Sequence, residues 1–392
     1  MVEWKKLGDL GSFENIGVDK KIVDGEKLVT LLNYVDVYHN KNIDSSIPQM
    51  QVSAPEKKIQ ACTVEQGDIF VTPTSETIDD IGHSSIITET IPHAVYSYHI
   101  MRYRLFEKNM LLSYYINYTF DTYNIKQQIL KKAQGLTRFG LSKDKFASIL
   151  IPIPSLSEQS RIVSILDTFT SSISNLKQQI EERRKQYEYE RDLLLDLEGK
   201  EGVEMKKLGE VGDICMCKRI MKDQTSEKGD IPFFKIGTFG GKADAYISRE
   251  LFEDYKEKYS YPKKGEILIS AAGTIGRTVV FNGEDAYFQD SNIVWISNNE
   301  QLVLNTFLRY LYGVIDWKID GGTIKRLYNY NLKNATIYVP TLQAQSRIVS
   351  ILDTFEQSIS NLEEQLAMRE KQYEYYRNQL LTFEGEEERG KT

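Results

Sequence analysis

Two stretches of the chain carry apolar residues at a spacing of seven. The first stretch holds two interleaved series, which are Leu166, Ile173, Ile180, Tyr187 and Leu194 together with Ile162, Phe169 and Leu176. This is the a/d pattern of a coiled-coil helix. It predicts a helix of roughly 35 to 40 residues, about 50 to 60 Å long.

The second stretch repeats the first. The ten residues from Ser160 to Phe169 return unchanged from Ser346 to Phe355, at an offset of 186 positions. Extended outward, the match between residues 151–199 and 337–385 contains 31 identities in 49 positions. The second series keeps the register of the first, with Ile348, Leu352, Phe355, Ile359, Leu362, Leu366, Tyr373 and Leu380. The chain is therefore predicted to be two tandem units, each ending in the same helix.

Both apolar series are interrupted at the same place, by Arg183 and Arg369. A shared polar position can fix the register of two long seams that would otherwise pair in several ways. One such helix cannot bury its seam alone, so we expect the two helices to pair within the chain as an antiparallel coiled coil. In the alternative, each helix packs on its neighbouring domain or on another subunit.

The repeat divides the chain into segments. We predict globular domains over residues 1–152 and 203–340, coiled-coil helices over 153–202 and 341–385, and a charged tail over 386–392. The two domains start alike, at Glu3 and Glu204, and then diverge almost completely in sequence. Glycine turns at Gly67 and Gly265 each precede a short apolar run that is typical of a strand. The predicted fold class is α/β, with two mixed α/β domains separated by the two long helices.

The composition of the chain bears on its cellular location and on whether it needs a disulfide, metal or cofactor. We find no apolar run near the ~18 residues needed to span a membrane, and the N-terminus lacks the apolar stretch of a signal peptide. Cys62, Cys215 and Cys217 are too few for a disulfide framework, and no second Cys or His pair stands at zinc spacing. These features predict a cytoplasmic protein without a disulfide, metal or cofactor.

The net charge of −7 does not by itself indicate a nucleic-acid protein. The excess acid lies in the helices and the tail, and the globular domains are close to neutral. From Met101 to Lys145, nine basic residues stand against three acidic ones and alternate with tyrosines, a pattern suited to phosphates and bases. The alternative is the solvated face of amphipathic helices.

Two glycine-rich stretches in the second domain place hydroxyl groups beside a cation. They are residues 271–277, which end in Arg277, and residues 320–326, which end in Lys325 and Arg326. Flexible backbone beside a cation suits phosphate contact. Neither stretch has the Walker spacing or a dinucleotide fingerprint. Tight turns between strands are the alternative.

No catalytic constellation stands out in the sequence. All four histidines fall in the first domain, and Asp254-Tyr255-Lys256, which has the acid-x-Lys form of some nucleases, lies in a charged run where such a triplet arises by chance. No serine-nucleophile elbow or carboxylate cluster appears. The chain is therefore predicted to be a binding protein rather than an enzyme.

The whole arrangement resembles the DNA-specificity subunit of type I restriction-modification systems. The resemblance rests on Pro154 to Phe169, on its repeat Pro340 to Phe355, and on the motifs Gly273–Arg277 and Gly322–Leu327. The first domain departs from the pattern, because Thr74–Thr77 and Gly135–Phe139 stand where the second domain has its Gly-Thr motifs.

The resemblance implies two target-recognition domains that bind double-stranded DNA. It also implies helices that act as spacers and dock two modification (adenine methyltransferase) subunits, with restriction subunits joining that core. The residues expected to contact DNA are Thr74, Ser75, Lys131, Lys132, Arg138, Lys143, Lys218, Arg219, Arg277, Lys325 and Arg326. A structural coiled-coil adaptor that binds no DNA is the alternative.

Overall fold

A computed structural model describes residues 2–320 and 325–383. The fold divides into unit 1, Met1–Lys177 with Glu364–Thr392, and unit 2, Gln178–Glu363. Each unit therefore contains one globular domain and one half of each long helix. The predicted end of the second long helix, at Gly385, and the charged tail 386–392 lie outside the described residues.

Unit 1 holds twelve strands and the start of a long helix within the described residues. The strands are β1 (Glu3–Lys6), β2 (Gly11–Glu14), β3 (Lys27–Leu32), β4 (Asn42–Ile43), β5 (Met50–Ala54), β6 (Ile69–Val71), β7 (Thr74–Ser75), β8 (Ser84–Ile87), β9 (Ala94–Tyr96), β10 (Met101–Leu105), β11 (Phe139–Gly140) and β12 (Leu150–Ile153). The helices are α1 (Leu7–Leu10), α2 (Tyr34–His39), α3 (Glu56–Ala61), α4 (Met110–Thr119), α5 (Tyr123–Lys132), α6 (Lys143–Ala147) and α7 (Leu156–Leu195), whose second half belongs to unit 2.

Unit 2 continues from α7. Its strands are β13 (Glu204–Lys207), β14 (Gly212–Cys215), β15 (Ile231–Phe234), β16 (Ala245–Ile247), β17 (Ile267–Ser270), β18 (Thr278–Val280), β19 (Tyr287–Phe288), β20 (Ile293–Asn298) and β21 (Thr336–Val339). Its helices are α8 (Leu208–Val211), α9 (Arg249–Lys258), α10 (Asn305–Tyr312), α11 (Asn329–Asn334) and α12 (Leu342–Leu381), whose second half belongs to unit 1.

The two domains share one topology although their sequences diverge. Unit 1 has a sheet in the order β2-β10-β6-β8-β4, and unit 2 has the order β14-β20-β17-β18. Each unit adds a three-stranded sheet, β5-β3-β9 or β16-β15-β19, with one antiparallel and one parallel pair. Apart from β4 and the β7–β11 pair, which have no counterpart among the described strands of unit 2, the strand order is the same in both units.

In each unit the first strand pairs with the strand that leads into the long helix. Glu3 lies opposite Ile153 in the β1–β12 pair, and Glu204 lies opposite Val339 in the β13–β21 pair. Both pairs are antiparallel, which brings the start of the domain to the start of its helix. The start of each domain and the strand before its long helix therefore form one two-stranded sheet.

The long helices pack antiparallel, as predicted. In unit 1 the ring of Phe169 contacts Tyr373, and in unit 2 the ring of Phe355 contacts Tyr187, both with centroids 6.5 Å apart. Residues later in α7 therefore contact residues earlier in α12. At the rim, exposed ion pairs join Lys177 to Glu370 in unit 1 at 3.3 Å and Arg184 to Glu363 in unit 2 at 2.5 Å. Such pairs contribute little stability, about 0 to 1 kcal/mol.

The arginine in each apolar series has an aromatic partner on the other helix. Arg183 lies over the ring of Phe355 at 5.7 Å, and Arg369 lies over the ring of Phe169 at 5.6 Å. A guanidinium can lie on an aromatic face without leaving water entirely. The interruption of the seam is therefore a repeated cation–π contact.

All the apolar positions predicted for the coiled-coil interface are buried or half-buried. They do not all face the other helix alone. Ile162 and Leu166 belong to the domain core of unit 1, and Ile348 and Leu352 belong to the domain core of unit 2. The first turns of each helix thus complete a globular core, while later turns form the seam.

A repeated hydrogen bond joins each domain to its helix. The hydroxyl of Tyr118 on α4 donates to Asp167 at 2.5 Å, and the hydroxyl of Tyr310 on α10 donates to Asp353 at 2.6 Å. Burial is the main cause that raises the pKa of both phenols far above its usual value, and the neighbouring carboxylate adds to it. Both phenols therefore stay protonated donors at neutral pH.

Among the helices within the described residues, none is long and apolar enough to cross a membrane.

Candidate nucleic-acid interface

Each unit presents a hairpin loop that the same backbone hydrogen bonds close. In unit 1, Gln134 and Gly140 exchange N–H to carbonyl bonds of 2.9 and 2.8 Å. In unit 2, Asp320 and Arg326 exchange bonds of 3.1 and 2.9 Å. In each unit five residues separate the two bonded positions along the chain, 135–139 or 321–325. Residues 321–324, with Gly322 and its Gly-Thr motif, lie outside the described residues.

The residue after each hairpin fixes the loop above a central strand. The N–H of Leu141 donates to the carbonyl of Pro73, which follows β6, at 2.9 Å. The N–H of Leu327 donates to the carbonyl of Ala271, which follows β17, also at 2.9 Å. The hairpin therefore lies at the carboxyl end of the same strand in both units. We call this end of each domain its loop face.

The loop face of unit 1 forms an open groove of about 500 Å³. Thr74 and Ser75 form β7, which pairs with β11 of the hairpin, and the guanidinium of Arg138 lies 3.4 Å from the hydroxyl of Thr74. The rest of the wall consists of Tyr34, Val35, Tyr38, Glu76, Thr77, Asp80 and His99. The groove thus combines one exposed cation, two carboxylates, several hydroxyl groups and two tyrosine rings.

Burial and charge set the protonation of this groove. Burial, together with the nearby positive charges of Lys20 and Arg138, lowers the pKa of His99, so this imidazole is neutral at pH 7. A hydrogen bond from its hydroxyl to Asp80, at 3.0 Å, raises the pKa of Tyr38. The neutral imidazole and phenols can therefore donate and accept hydrogen bonds without adding positive charge.

The loop face of unit 2 is held together by its arginines. The guanidinium of Arg277 donates to the carbonyl of Phe239 at 3.0 Å, and that of Arg326 donates to the carbonyl of Ser291 at 2.6 Å. Arg219 forms an ion pair with Asp290 at 2.8 Å. Arg326 thus connects the hairpin to the loop after β19, Arg219 reaches the same loop, and Arg277 connects the stretch 271–277 to the segment around Phe239.

The predicted contact residues fall into three groups and one separate lysine. Thr74, Ser75 and Arg138 meet on one loop face, and Arg219, Arg277, Lys325 and Arg326 lie on the other. Lys131 and Lys132, in the last turn of α5, and Lys143, at the start of α6, flank the hairpin of unit 1. Lys218 lies over the ring of Tyr259, with its Nζ 5.0 Å from the centroid.

Several of these cations support their own loops. Arg219, Arg277 and Arg326 are engaged by groups of the protein, whereas Lys325 is exposed and makes no hydrogen bond or ion pair with a described residue. Gly276 has a positive φ of 83°, and a Cβ there would lie 2.9 Å from the indole nitrogen of Trp317. This glycine therefore serves the tight turn that the sequence offered as an alternative.

Sequence reasoning missed the loop that follows the parallel strand of each small sheet. This loop supplies His99 in unit 1 and Asp290 with Ser291 in unit 2. Ser291 has a positive φ of 53°, which is uncommon outside glycine. No glycine-rich or basic pattern marks the loop. The signal that could have found it is its position after the β9 or β19 strand, once the two domains are aligned.

The described residues offer no group of three or more His, Cys, Asp and Glu side chains that could hold a metal ion. All three cysteines are free thiols, and burial raises the pKa of Cys217 to about 12. The triplet around Tyr255 lies on α9, where Asp254 pairs with Lys258 and Lys256 contacts Asp285 at 3.5 Å.

A comparison with known protein families finds two matches along the chain, in agreement with its tandem repeat. The family model of the type I restriction modification DNA specificity domain matches residues 1–183 and again residues 200–368. The chain belongs to this family. It is thus a type I specificity subunit with two target-recognition domains, and members of this family recognise DNA rather than catalyse the reaction.

Relatives and solved structures agree with this assignment. A putative type I restriction enzyme specificity subunit of Haemophilus influenzae is 55% identical over 265 residues, which are 64% of this chain and 68% of the relative. The EcoR124I/EcoR124II specificity subunit of Escherichia coli is 32% identical over 263 residues, 59% of this chain and 63% of the relative.

Two solved structures share the fold of this specificity subunit. The type I S subunit from M. genitalium superposes with a TM-score of 0.58 at 14% identity and covers 98% of this chain and 96% of its own. A structure from work on assembly and conformational transition of the type I system gives 0.58 at 19% identity, with 97% and 96% covered. At these identities the likeness concerns the fold alone.

Proposed function

We propose that this chain reads a two-part, asymmetric target in double-stranded DNA, with one half of the target bound by each loop face. Two domains with the same strand order carry different side chains at the same loops. Unit 1 offers Arg138, Thr74 and tyrosines, and unit 2 offers Lys325 beside Arg326. One scaffold with two loop sets is what a reader of two different half-sites requires, and this observation carries the proposal.

The chemistry of the loop faces fits this role. In the major groove an arginine or lysine recognises guanine through O6 and N7, while threonine and serine hydroxyls can bond to several base edges. Exposed lysines contact phosphates and position the protein without reading sequence. Since both domains are attached to the paired helices, the length of that pair would set the unread gap between half-sites.

We also propose that the repeated helices dock two adenine methyltransferase subunits, with restriction subunits joining the complex. Exposed positions of the ten-residue repeat are identical in both copies, namely Ser160, Arg161, Ser164 and Thr168 with Ser346, Arg347, Ser350 and Thr354. Packing within the chain does not require outward-facing residues to match. Two copies of one partner do require two similar faces.

Ser164 and Ser350 occupy equivalent positions in the two helices and therefore allow a matched test of this docking. Replacing either serine with arginine adds a bulky cation at an exposed helix position, so folding should be retained. We expect native mass spectrometry of the co-expressed complex to show one methyltransferase subunit for each single variant and none for the double variant. Two bound subunits in the double variant would show that this face does not dock them.

Sequencing of methylated adenine across the genome tests target recognition. Deletion of the gene is expected to remove one asymmetric, two-part adenine motif. Exchange of residues 1–152 or 203–340 for those of a relative should then change only one half of the motif. If methylation is unchanged after deletion in cells that express the methyltransferase, this chain does not direct it, and a structural adaptor is the better description.

A further inference from the structure

Unit 1 contains a helix that has no counterpart in the described residues of unit 2. The segment from Tyr118 to Leu141 includes α5, whereas the equivalent segment from Tyr310 to Leu327 is six residues shorter and forms no helix in residues 313–319. The flanking hydrogen bonds are the same in both units. The place that α5 occupies in unit 1 can therefore be located in unit 2.

In unit 1, α5 covers the outer edge of β12. Its residues Ile125 and Ile129 are each 1% exposed and join the domain core. Between them, the Gln128 side chain donates to the carbonyl of Leu150 and accepts from its N–H, both at 2.9 Å. One side-chain amide thus satisfies both outward-pointing backbone groups of Leu150.

Unit 2 leaves the equivalent edge uncovered. Thr336 lies opposite Lys207 as Leu150 lies opposite Lys6, and the N–H of Leu208 bonds to the carbonyl of Ala335 beside them at 2.9 Å. Antiparallel pairs alternate between bonded and non-bonded positions, so the N–H and carbonyl of Thr336 point away from β13. No described side chain reaches these two groups as Gln128 reaches Leu150.

Ligand pockets typically measure about 300 to 1,000 Å³, and the open groove beside Thr336 measures about 670 Å³. Its apolar wall contains Leu195, Leu311, Val314, Ile315 and Ile337, and Val314 is 40% exposed. Trp317 fills only the inner part of the α5 position, since it contacts Gly276 as Ile129 contacts Gly82. The outer part remains open.

The rim of this groove is acidic. Asp192, Asp196, Glu198 and Asp316 line it together with one cation, Lys318. In the other copy of the helix, Asn378 and Thr382 stand at the positions of Asp192 and Asp196. The charges of Asp192 and Asp196 therefore depart from the repeat, whereas Glu198 matches Glu384. Asp192 also forms an exposed ion pair with Arg191 at 2.7 Å.

We propose that this groove binds a basic amphipathic helix of a partner protein, built on the pattern of α5. Its apolar residues would cover Val314 and Ile315, a side-chain amide would bond to the Thr336 backbone, and lysines or arginines would face Asp192 and Asp196. A second copy of this chain fits less well, because its own α5 is already buried. The proposal does not depend on DNA recognition.

A labelled peptide with the sequence of residues 122–133 probes the groove directly. It keeps Thr122, whose side chain caps α5, the two isoleucines, Gln128 and Lys131 with Lys132. Fluorescence anisotropy with the full-length chain is expected to show saturable binding. Val314→Arg, at an exposed position, should weaken it about tenfold or more by filling the groove with a cation.

Two matched controls separate the contribution of the acidic rim to peptide binding from that of the Gln128 side-chain amide. The double variant Asp192→Asn with Asp196→Thr installs the residues of the other copy and should weaken binding about threefold, less so at high salt. A peptide with Gln128→Leu should bind less tightly than the parent. Circular dichroism and thermal unfolding of each variant establish that the chain is folded.

Three results would overturn the proposal. They are the absence of saturable peptide binding, binding that Val314→Arg leaves unchanged, and self-association of the chain that Val314→Arg abolishes. The last would assign the groove to a second copy. All are measured without DNA, so they differ from a failure of target recognition, in which peptide binding persists while the methylation motif does not change.

Discussion

Leu352→Asp is expected to unfold the domain of unit 2. Leu352 is fully buried in the core where α12 begins, next to strands and helices of its own domain. Truncating a buried leucine costs about 2 to 5 kcal/mol, and a carboxylate without a partner adds to this. Because a domain is stable by only about 5 to 15 kcal/mol, the substitution removes most of that stability.

The same helix supplies the control for this change. Leu342 lies in the first turn of α12 and is 40% exposed, so Leu342→Asp should leave the free energy of unfolding nearly unchanged. Its carboxylate would lie where the helix dipole favours negative charge. Leu166→Asp and Leu156→Asp form the equivalent pair in unit 1, with Leu166 fully buried and Leu156 62% exposed.

Urea unfolding combined with hydrogen-exchange mass spectrometry measures the effect and locates it. We expect Leu352→Asp to lose exchange protection in β17 and β20, and Leu342→Asp to keep it. Equal stability of the two variants would mean that the start of α12 does not complete the domain core. The repeated sequence at this point would then serve pairing or docking alone.

Arg326→Ala is expected to weaken binding to the specific DNA target about tenfold, which corresponds to about 1.4 kcal/mol. In the structure, Arg326 bonds to the carbonyl of Ser291 and lies 6.0 Å from the ring centroid of Tyr328. It therefore positions the hairpin against the loop after β19. Loss of that contact should harm recognition of one half-site and leave non-specific affinity nearly unchanged.

Lys325→Ala should behave differently from Arg326→Ala. Lys325 is exposed and makes no hydrogen bond or ion pair with a described residue, as expected of a phosphate contact. Its removal should weaken binding to all sequences alike and reduce the slope of log affinity against log salt by about 0.9.

Binding would be measured for the chain assembled with its modification subunits, on target and scrambled duplexes over a range of salt. Lys264→Ala is the control, since it removes an exposed lysine before β17, at the end of that strand opposite the loop face. The assignment of roles fails if Arg326→Ala lowers the affinity for both duplexes equally, or if Lys325→Ala alters sequence preference.

The duplication explains why the helices and the loops changed at different rates. The helix start at Leu166 or Leu352 packs into a domain core, and the next turns form the seam and the Tyr118 or Tyr310 hydrogen bond. Few substitutions satisfy all these contacts. A loop such as the hairpin of unit 1 closes through backbone bonds, which almost any residue can provide. Loop residues could therefore diverge while the strand order stayed the same.

The side chains at the loop faces were only partly predictable. Arg138 and Thr74 could be named from local charge and hydroxyl patterns, but their contact across the β7–β11 pair joins residues far apart in the chain. Tyr34 and His99 carry no such pattern. Arg277 was expected to face DNA, yet its guanidinium also holds Phe239. Sequence indicates a cation but not what the fold places beside it.

By itself the sequence determined the tandem repeat, the two long helices and their antiparallel pairing, because a seven-residue apolar period is local and a matched second seam supplies the partner. Only the tertiary structure decided that both domains share one strand order, that each hairpin lies at the end of its central strand, and that unit 2 has an open groove where unit 1 has α5. These features depend on hydrogen bonds between backbone groups distant in the chain. Such bonds use no particular side chain, so they leave no pattern in the residues that form them.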